Sequence, residues 1–364
     1  MPILSDFWNI FQEGLFGRVE NSIQEALTEK QEQLIFVLNT VKVEHFIHAP
    51  SCYGVGRKSL DRRLMARAFV LKAFYNISTT KMLIEMLQTQ YSLRRICGYE
   101  SRRNIPSEAT FSRAFHWFAS MGLGEKVLDA CVLEYVGEHV VMHVSRDSTE
   151  VMAREKPTQQ ERNHKLKCKR GRPKKGDVRP SIELTRLEKQ VDQTIEEAIK
   201  DLPSFCSVGC KKDAKGYIHC WTGWKAHIDW ADGSIPLSVI TTSACVHDSQ
   251  VAIPLARMTA NKATVLYELM DSAYDALQIR EVCESLDHIA IIDPNKRGGK
   301  SKPVEAFRLN RFKERSTAER GNSRLKDDFG LRHLRVRGHA KAHLHIMFGI
   351  LAVFADQYRH VFSG

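Results

Sequence analysis

His139-Val-Val-Met-His-Val-Ser-Arg-Asp147 is a mostly apolar, β-branched stretch that ends on a carboxylate. Apolar residues before it recur with helical spacing, and the chain after it alternates strand with helix. The stretch therefore marks where an all-α region gives way to an α/β one. It reads as a buried strand that ends at Asp147, with Asp147-Ser148-Thr149 leaving the sheet. A carboxylate at the end of a central strand is where an α/β site places a metal ligand. A turn or N-cap aspartate is the alternative reading.

Downstream, Tyr217 to Asp229 and Ile235 to Val246 read as two strands joined by the turn Ala231-Asp232-Gly233-Ser234. The second leads into Cys245-Val246-His247-Asp248-Ser249, and Gln250 to Met258 reads as a helix. Asp248 is expected to cap that helix. Thr264 to Met270 is another apolar strand, ending at Asp271-Ser272-Ala273-Tyr274-Asp275. A helix over 275–285 and a strand from His288 to Ile292 follow, with Asp293 before a proline turn. Asp275 reads as a neighbour of the site or as an N-terminal helix charge. These elements predict a mixed α/β sheet flanked by helices.

Upstream, residues 1–55 form a helical segment closed by Pro50 and Gly54. Residues 56–135 are helical again, with basic residues such as Arg62, Arg67, Lys72 and Arg113 interleaved with the apolar ones. Pro106 and Ser107 mark a helix start, with Ser107 as N-cap. This region suits a major-groove reader of DNA or an ordinary helical bundle with solvated basic residues. Residues 136–364 then form the α/β domain, interrupted at about 155–215 by a basic insert. Its centre, Lys169-Arg170-Gly171-Arg172-Pro173, resembles an AT-hook, in which Arg170 and Arg172 would enter a narrow minor groove. A generic charged tether has the same composition. Ser181 to Ile199 reads as one amphipathic helix, and Cys206-x3-Cys210 with His219-Cys220 as core or loop thiols rather than a zinc site.

The net charge of +11 favours a polyanionic partner, most simply nucleic acid. A hydrophobic content of 43% over 364 residues supports a substantial core. The opening residues lack the basic and apolar regions of a signal peptide. The run Ile346 to Phe354 is too short to span a bilayer. Nine scattered cysteines are expected to be reduced thiols, and the expected location is cytoplasmic, with no membrane partner.

The last stretch, Phe312-Lys-Glu-Arg-Ser-Thr-Ala-Glu-Arg-Gly-Asn-Ser-Arg-Leu-Lys326, places Phe312, Arg315, Glu319 and Lys326 on one face of a helix. A carboxylate flanked by two cations suits a metal beside a phosphate backbone; a solvated face with an Arg315–Glu319 pair fits the same spacing. The spacing resembles the Tyr-x2-Arg-x3-Glu-x6-Lys signature of DDE transposases of bacterial insertion sequences, particularly the lineage numbered four. Arg315, Glu319 and Lys326 match it, and Phe312 replaces the tyrosine. Asp-Ser-Thr at 147–149, His-Asp-Ser at 247–249 and Asp-Ser-Ala-Tyr-Asp at 271–275 are similar to phrases of that family.

The resemblance implies an RNase H-like catalytic domain, which the element order also fits, preceded by an all-α DNA-binding region. It implies Asp147, Asp271 and Glu319 as catalytic metal ligands, with Phe312, Arg315 and Lys326 on DNA. Two Mg²⁺ ions, replaceable by Mn²⁺, would be the cofactors, because carboxylate oxygens suit hard cations. The implied reaction is cleavage at double-stranded transposon ends and strand transfer into target DNA by a homodimer on DNA. The alternatives are an inactive DNA-binding remnant and a metal-dependent nuclease that does not rejoin.

Overall fold

The computed structural model describes residues 26–49, 60–158, 184–212, 215–294 and 305–362. Arg170 and Arg172 lie outside these described residues.

The N-terminal region is helical: α1 (Glu29–Val41), α2 (Arg62–Phe74), α3 (Thr80–Thr89), α4 (Tyr91–Ile96), α5 (Glu108–Ser120) and α6 (Leu123–Tyr135). Short polar side chains start several of them. Thr28 and Gln31 form a capping box on α1, and Asp61 and Thr79 accept backbone N–H bonds at α2 and α3. Ser107 occupies the N-cap position of α5 as expected, but its hydroxyl meets Thr110 Oγ1 at 3.1 Å instead of a backbone N–H.

The sheet contains β1 (Val140–Met152), β2 (Ser207–Lys212), β3 (Ile218–Ala231), β4 (Ile235–Ser243), β5 (Thr264–Met270) and β6 (Ile289–Ile292). β3 is antiparallel to β1, β2 and β4, whereas β1, β5 and β6 run parallel. β4 pairs one half of β3 and β2 the other. Helices α9 (Ser249–Ala260) and α10 (Leu277–Ser285) cover one face. The late helices α11 (Ala306–Phe312), α12 (Ser316–Asp327) and α13 (His339–Phe362) complete the fold, α12 lying across β1 and β3. Four strands joined by antiparallel pairing, β1 to β4, followed by the parallel β5 and β6, with helices on both faces, is an RNase H-like arrangement.

Several expected boundaries move. β1 does not end at Asp147; it continues to Met152, because residues 148–152 keep pairing with 223–227 of β3. The expected helix over 181–199 is two short ones, α7 (Arg186–Asp192) and α8 (Ile195–Lys200), packed on α9. A second capping box, Thr194 with Glu197, restarts the chain after an extended Gln193. The helix expected over 312–326 is interrupted by a 3₁₀ turn at Lys313–Arg315 before α12 begins.

α13 joins the two regions. It packs on α1, α2, α5 and α6 on one side and on β4 on the other, so one continuous apolar core runs through both. Phe348 of α13 stacks on Phe69 of α2 with centroids 5.5 Å apart. The change at residue 136 is therefore a change of secondary structure, not a break in packing. Among the described residues no helix is long and apolar enough to cross a membrane.

Gly321 sets how closely α12 approaches the sheet. A Cβ there would lie 2.7 Å from Cδ2 and Cε3 of Trp230, itself fully buried on β3. Gly321→Ala is expected to destabilise the fold by about 1–3 kcal/mol despite alanine's better helix propensity. Urea unfolding checks this, and a neutral or stabilised variant would show that α12 can shift freely.

Candidate active site

β1 and β5 are parallel neighbours with Ser145 opposite Leu269. Two residues further along each chain, Asp147 and Asp271 come abreast, about 5 Å apart at the usual strand spacing. Asp271 turns at the end of β5, where its Oδ1 accepts the Ala273 N–H at 2.9 Å. Glu319 comes from α12, which crosses above them. All three carboxylates line one cleft of about 550 Å³. Lys211, Lys225, Lys326 and Arg332 line it as well, so acids sit inside a cationic wall.

The three acids are held differently. Asp147 is partly buried, and this burial pushes its pKa up; Lys211, a Ser148 backbone bond and Arg315 oppose that, while Asp271 adds to it. Asn322 Nδ2 donates to Asp147 Oδ2 at 3.0 Å, leaving the buried Asn322 Oδ1 without a partner. Glu319 is 61% exposed and bound to Arg315 at 2.8 Å, the i,i+4 pair expected from the sequence. Arg315 also lies over the Phe312 ring, 5.7 Å from its centroid. Phe312 and Arg315 flank the cleft without lining it, whereas Lys326 lines it and pairs with Glu150 at 3.1 Å.

This donor set fits a hard divalent cation. All three side chains offer oxygen, and an aspartate whose anion is disfavoured by burial gains from a positive neighbour. As the side chains stand, no three His, Cys, Asp or Glu groups among the described residues are close enough together to hold an ion. Glu319 is turned towards Arg315. An exposed ion pair of this kind costs only a few tenths of a kcal/mol to release.

Asp248 does not cap α9 through its side chain. Its carboxylate enters the cleft instead and accepts from Lys225 Nζ at 3.0 Å. Burial alone would raise its pKa, but His227, Lys225 and the Ser148 hydroxyl hold it below the usual value. Sequence reading missed Lys225 and the bond from Asn322. Asn322 stands at i+3 from Glu319, so helical spacing could have suggested it. Nothing local marks Lys225, whose partner lies two elements away.

His227, fully buried behind Asp248, bonds Thr242 Oγ1 at 2.9 Å. Burial lowers its pKa from 6.5 to about 4. Between those values the unfolded chain takes up a proton that the folded chain refuses, so stability is full above pH 6.5 and falls as pH drops through the window. The expected loss between pH 7 and pH 5 is about 1–2 kcal/mol. His345, pushed to about 3 by burial, adds a second share of the same sign. Thermal melts of His227→Gln should show a shallower acid slope than wild type; an identical slope would remove His227 from the account.

Cys210 and Cys220 face each other across β2 and β3 with Cα atoms 4.1 Å apart, and they form a disulfide rather than two reduced thiols. The cause is strand pairing, since β2 was not legible as a strand. Cys206 does not join them; its Sγ meets Glu155 O at 3.8 Å.

Two family models match the chain. Residues 22–117 match one described as Transposase domain (DUF772), and residues 204–355 match one described as Transposase DDE domain. No curated protein and no solved structure matches. The helical match covers α1 to α4 and most of α5, and the DDE match covers β2 through most of α13, including Asp271 and Glu319 but not Asp147. The chain belongs to the DDE transposases of insertion sequences.

Proposed function

We propose that the chain cuts double-stranded DNA at the ends of its own insertion sequence and transfers the cut strands into a target. The observation that carries this reading is the convergence of Asp147, Asp271 and Glu319, from three separate elements, in one cleft walled by lysine and arginine. Cations around the acids suit a phosphodiester, whose charge they would neutralise while holding it beside the carboxylates.

Asp147, Asp271 and Glu319 would hold two Mg²⁺ ions, or Mn²⁺ in their place, which supply Lewis-acid activation of the attacking oxygen and stabilisation of the leaving one. The chain's own groups do the rest. Lys326 offers a point charge to a phosphate beside the cut, and Arg315 a planar fork once Glu319 turns away from it. Phe312 stiffens Arg315 by lying under its guanidinium. Asn322 orients the Asp147 carboxylate through their hydrogen bond. Lys225 and Ser148 keep Asp248 ionised at the cleft wall.

The basic helical region at 56–135 would hold the transposon end, and Arg170 and Arg172 would add minor-groove contacts. Two ends brought together make a homodimer on DNA the working form, acting on chromosomal DNA in the bacterial cytoplasm. A cleavage and joining assay on DNA carrying the element's own ends, with Mg²⁺ or Mn²⁺, tests the reading. Cutting and joining support it. Cutting without joining points to a nuclease, and binding without cutting to an inactive remnant.

A further inference from the structure

A second cavity, of about 380 Å³, lies between the helical bundle and the loop that precedes α13. Lys72 of α2, Arg154 beyond β1, His333, Arg335 and Arg337 of the loop, and Lys341 of α13 converge on it. Glu108 is the one carboxylate on its lining. Its floor is apolar, built from the buried rings of Phe69, Phe115, Phe329 and Phe348.

This concentration of charge is unusual for the molecule. Arg146 is paired with Asp229 and Glu268, and Arg324 with Asp356. The side chains of Lys72, Arg154, Arg335, Arg337 and Lys341 make no ion pair or hydrogen bond among the described residues. Like charges gathered over an apolar floor repel, and water screens them poorly there. Burial, and then Arg335, depress Lys72 to about 8. An anion in the cavity would cancel that repulsion.

We propose that this cavity is a phosphate-binding site that grips the backbone of the DNA strand running out of the candidate cleft. Two chain segments connect the two places. Arg332 lines the cleft and His333 the cavity; Glu150 lines the cleft and Arg154 the cavity. Four residues of extended chain span about 13 Å, a few nucleotides of a DNA strand. Three guanidinium forks favour a phosphate over a single carboxylate, and adjacency to the cleft favours a DNA strand over a free phosphate. The inference rests on the DNA-cutting reading only for the strand that owns the phosphate.

The test uses the full chain without divalent metal, and follows anisotropy of a labelled duplex carrying the element's end across a salt series. Arg335→Ala with Lys341→Ala is expected to weaken binding roughly tenfold or more. It should also reduce the slope of log affinity against log salt by nearly two, at about 0.9 for each phosphate no longer neutralised. Lys72→Met should weaken DNA binding while raising the melting temperature of the free protein, because a repelling charge is gone. A lysine with only a structural role would lower the melting temperature and leave the salt slope alone.

Unchanged affinity and slope in both variants would overturn the proposal. Loss of inorganic phosphate binding, read by calorimetry, with DNA binding intact would also overturn it and leave a small-anion site. If wild type never cuts but the variants lose salt slope, the phosphate site stands and the catalytic reading falls.

Discussion

Asp147→Asn and Glu319→Gln are each expected to lower end cleavage by about a thousand-fold or more while leaving DNA binding within a few-fold. Each exchange keeps shape and removes one negative charge from the proposed metal site. The two should part company in stability. Asp147 is disfavoured as an anion by burial, so a neutral amide relieves desolvation. The new amide can also serve Asn322, whose Oδ1 is buried without a donor. Asp147→Asn should therefore be about 1 kcal/mol more stable than wild type and still inactive. Glu319→Gln gives up an exposed pair with Arg315 and should be near neutral. Cleavage assays beside thermal melts read both effects. Equal cutting by Glu319→Gln and wild type would remove Glu319 from the site and return the Arg315–Glu319 pair to a solvated helix face.

The largest stability effect is expected one residue away, on the other face of the sheet. Arg146 lies fully buried, with Nε and Nη2 on the two oxygens of Asp229 at 2.7 and 2.8 Å and Nη1 on Glu268 at 2.8 Å. Thr259 of α9 also bonds Asp229, and His288 bonds Glu268, both at 2.7 Å. The network ties β1 to β3 and β5, the strands that carry and flank Asp147 and Asp271. Arg146→Ala would leave two carboxylates buried without a cation, at a cost of about 3–5 kcal/mol. Arg146→Lys should recover only part, because an ammonium cannot satisfy the bidentate bond to Asp229 and reach Glu268 together. Urea unfolding of both variants measures this. A loss under about 1 kcal/mol would mean the network contributes specificity without net stability.

Much of the proposed site was legible from one strand or helix at a time. Asp147 follows a β-branched run, Asp271 follows another, and Glu319 stands four residues after Arg315. The Arg315–Glu319 bond needs nothing beyond one helical turn. The mixed sheet was equally readable, because turn residues such as Gly233, with φ of +71°, separate its strands. The two capping boxes that split 181–199 were present too, as Thr185 with Glu188 and Thr194 with Glu197, but apolar periodicity masked them.

The sequence by itself thus determined the alternation of elements, that Asp147 and Asp271 belong with strands and Glu319 with a helix, and the excess of positive charge. Only the tertiary structure decided how far β1 runs, that Cys210 meets Cys220, that Lys225 holds Asp248, and that Arg146 joins three strands. It also decided that α13 shares its core between both halves, and that five lysines and arginines from four segments face one cavity. The reason is physical: periodicity reports which side of its own helix or strand a residue occupies. Which distant side chain it meets there is set by strand register and helix packing, and these emerge only when the whole core assembles.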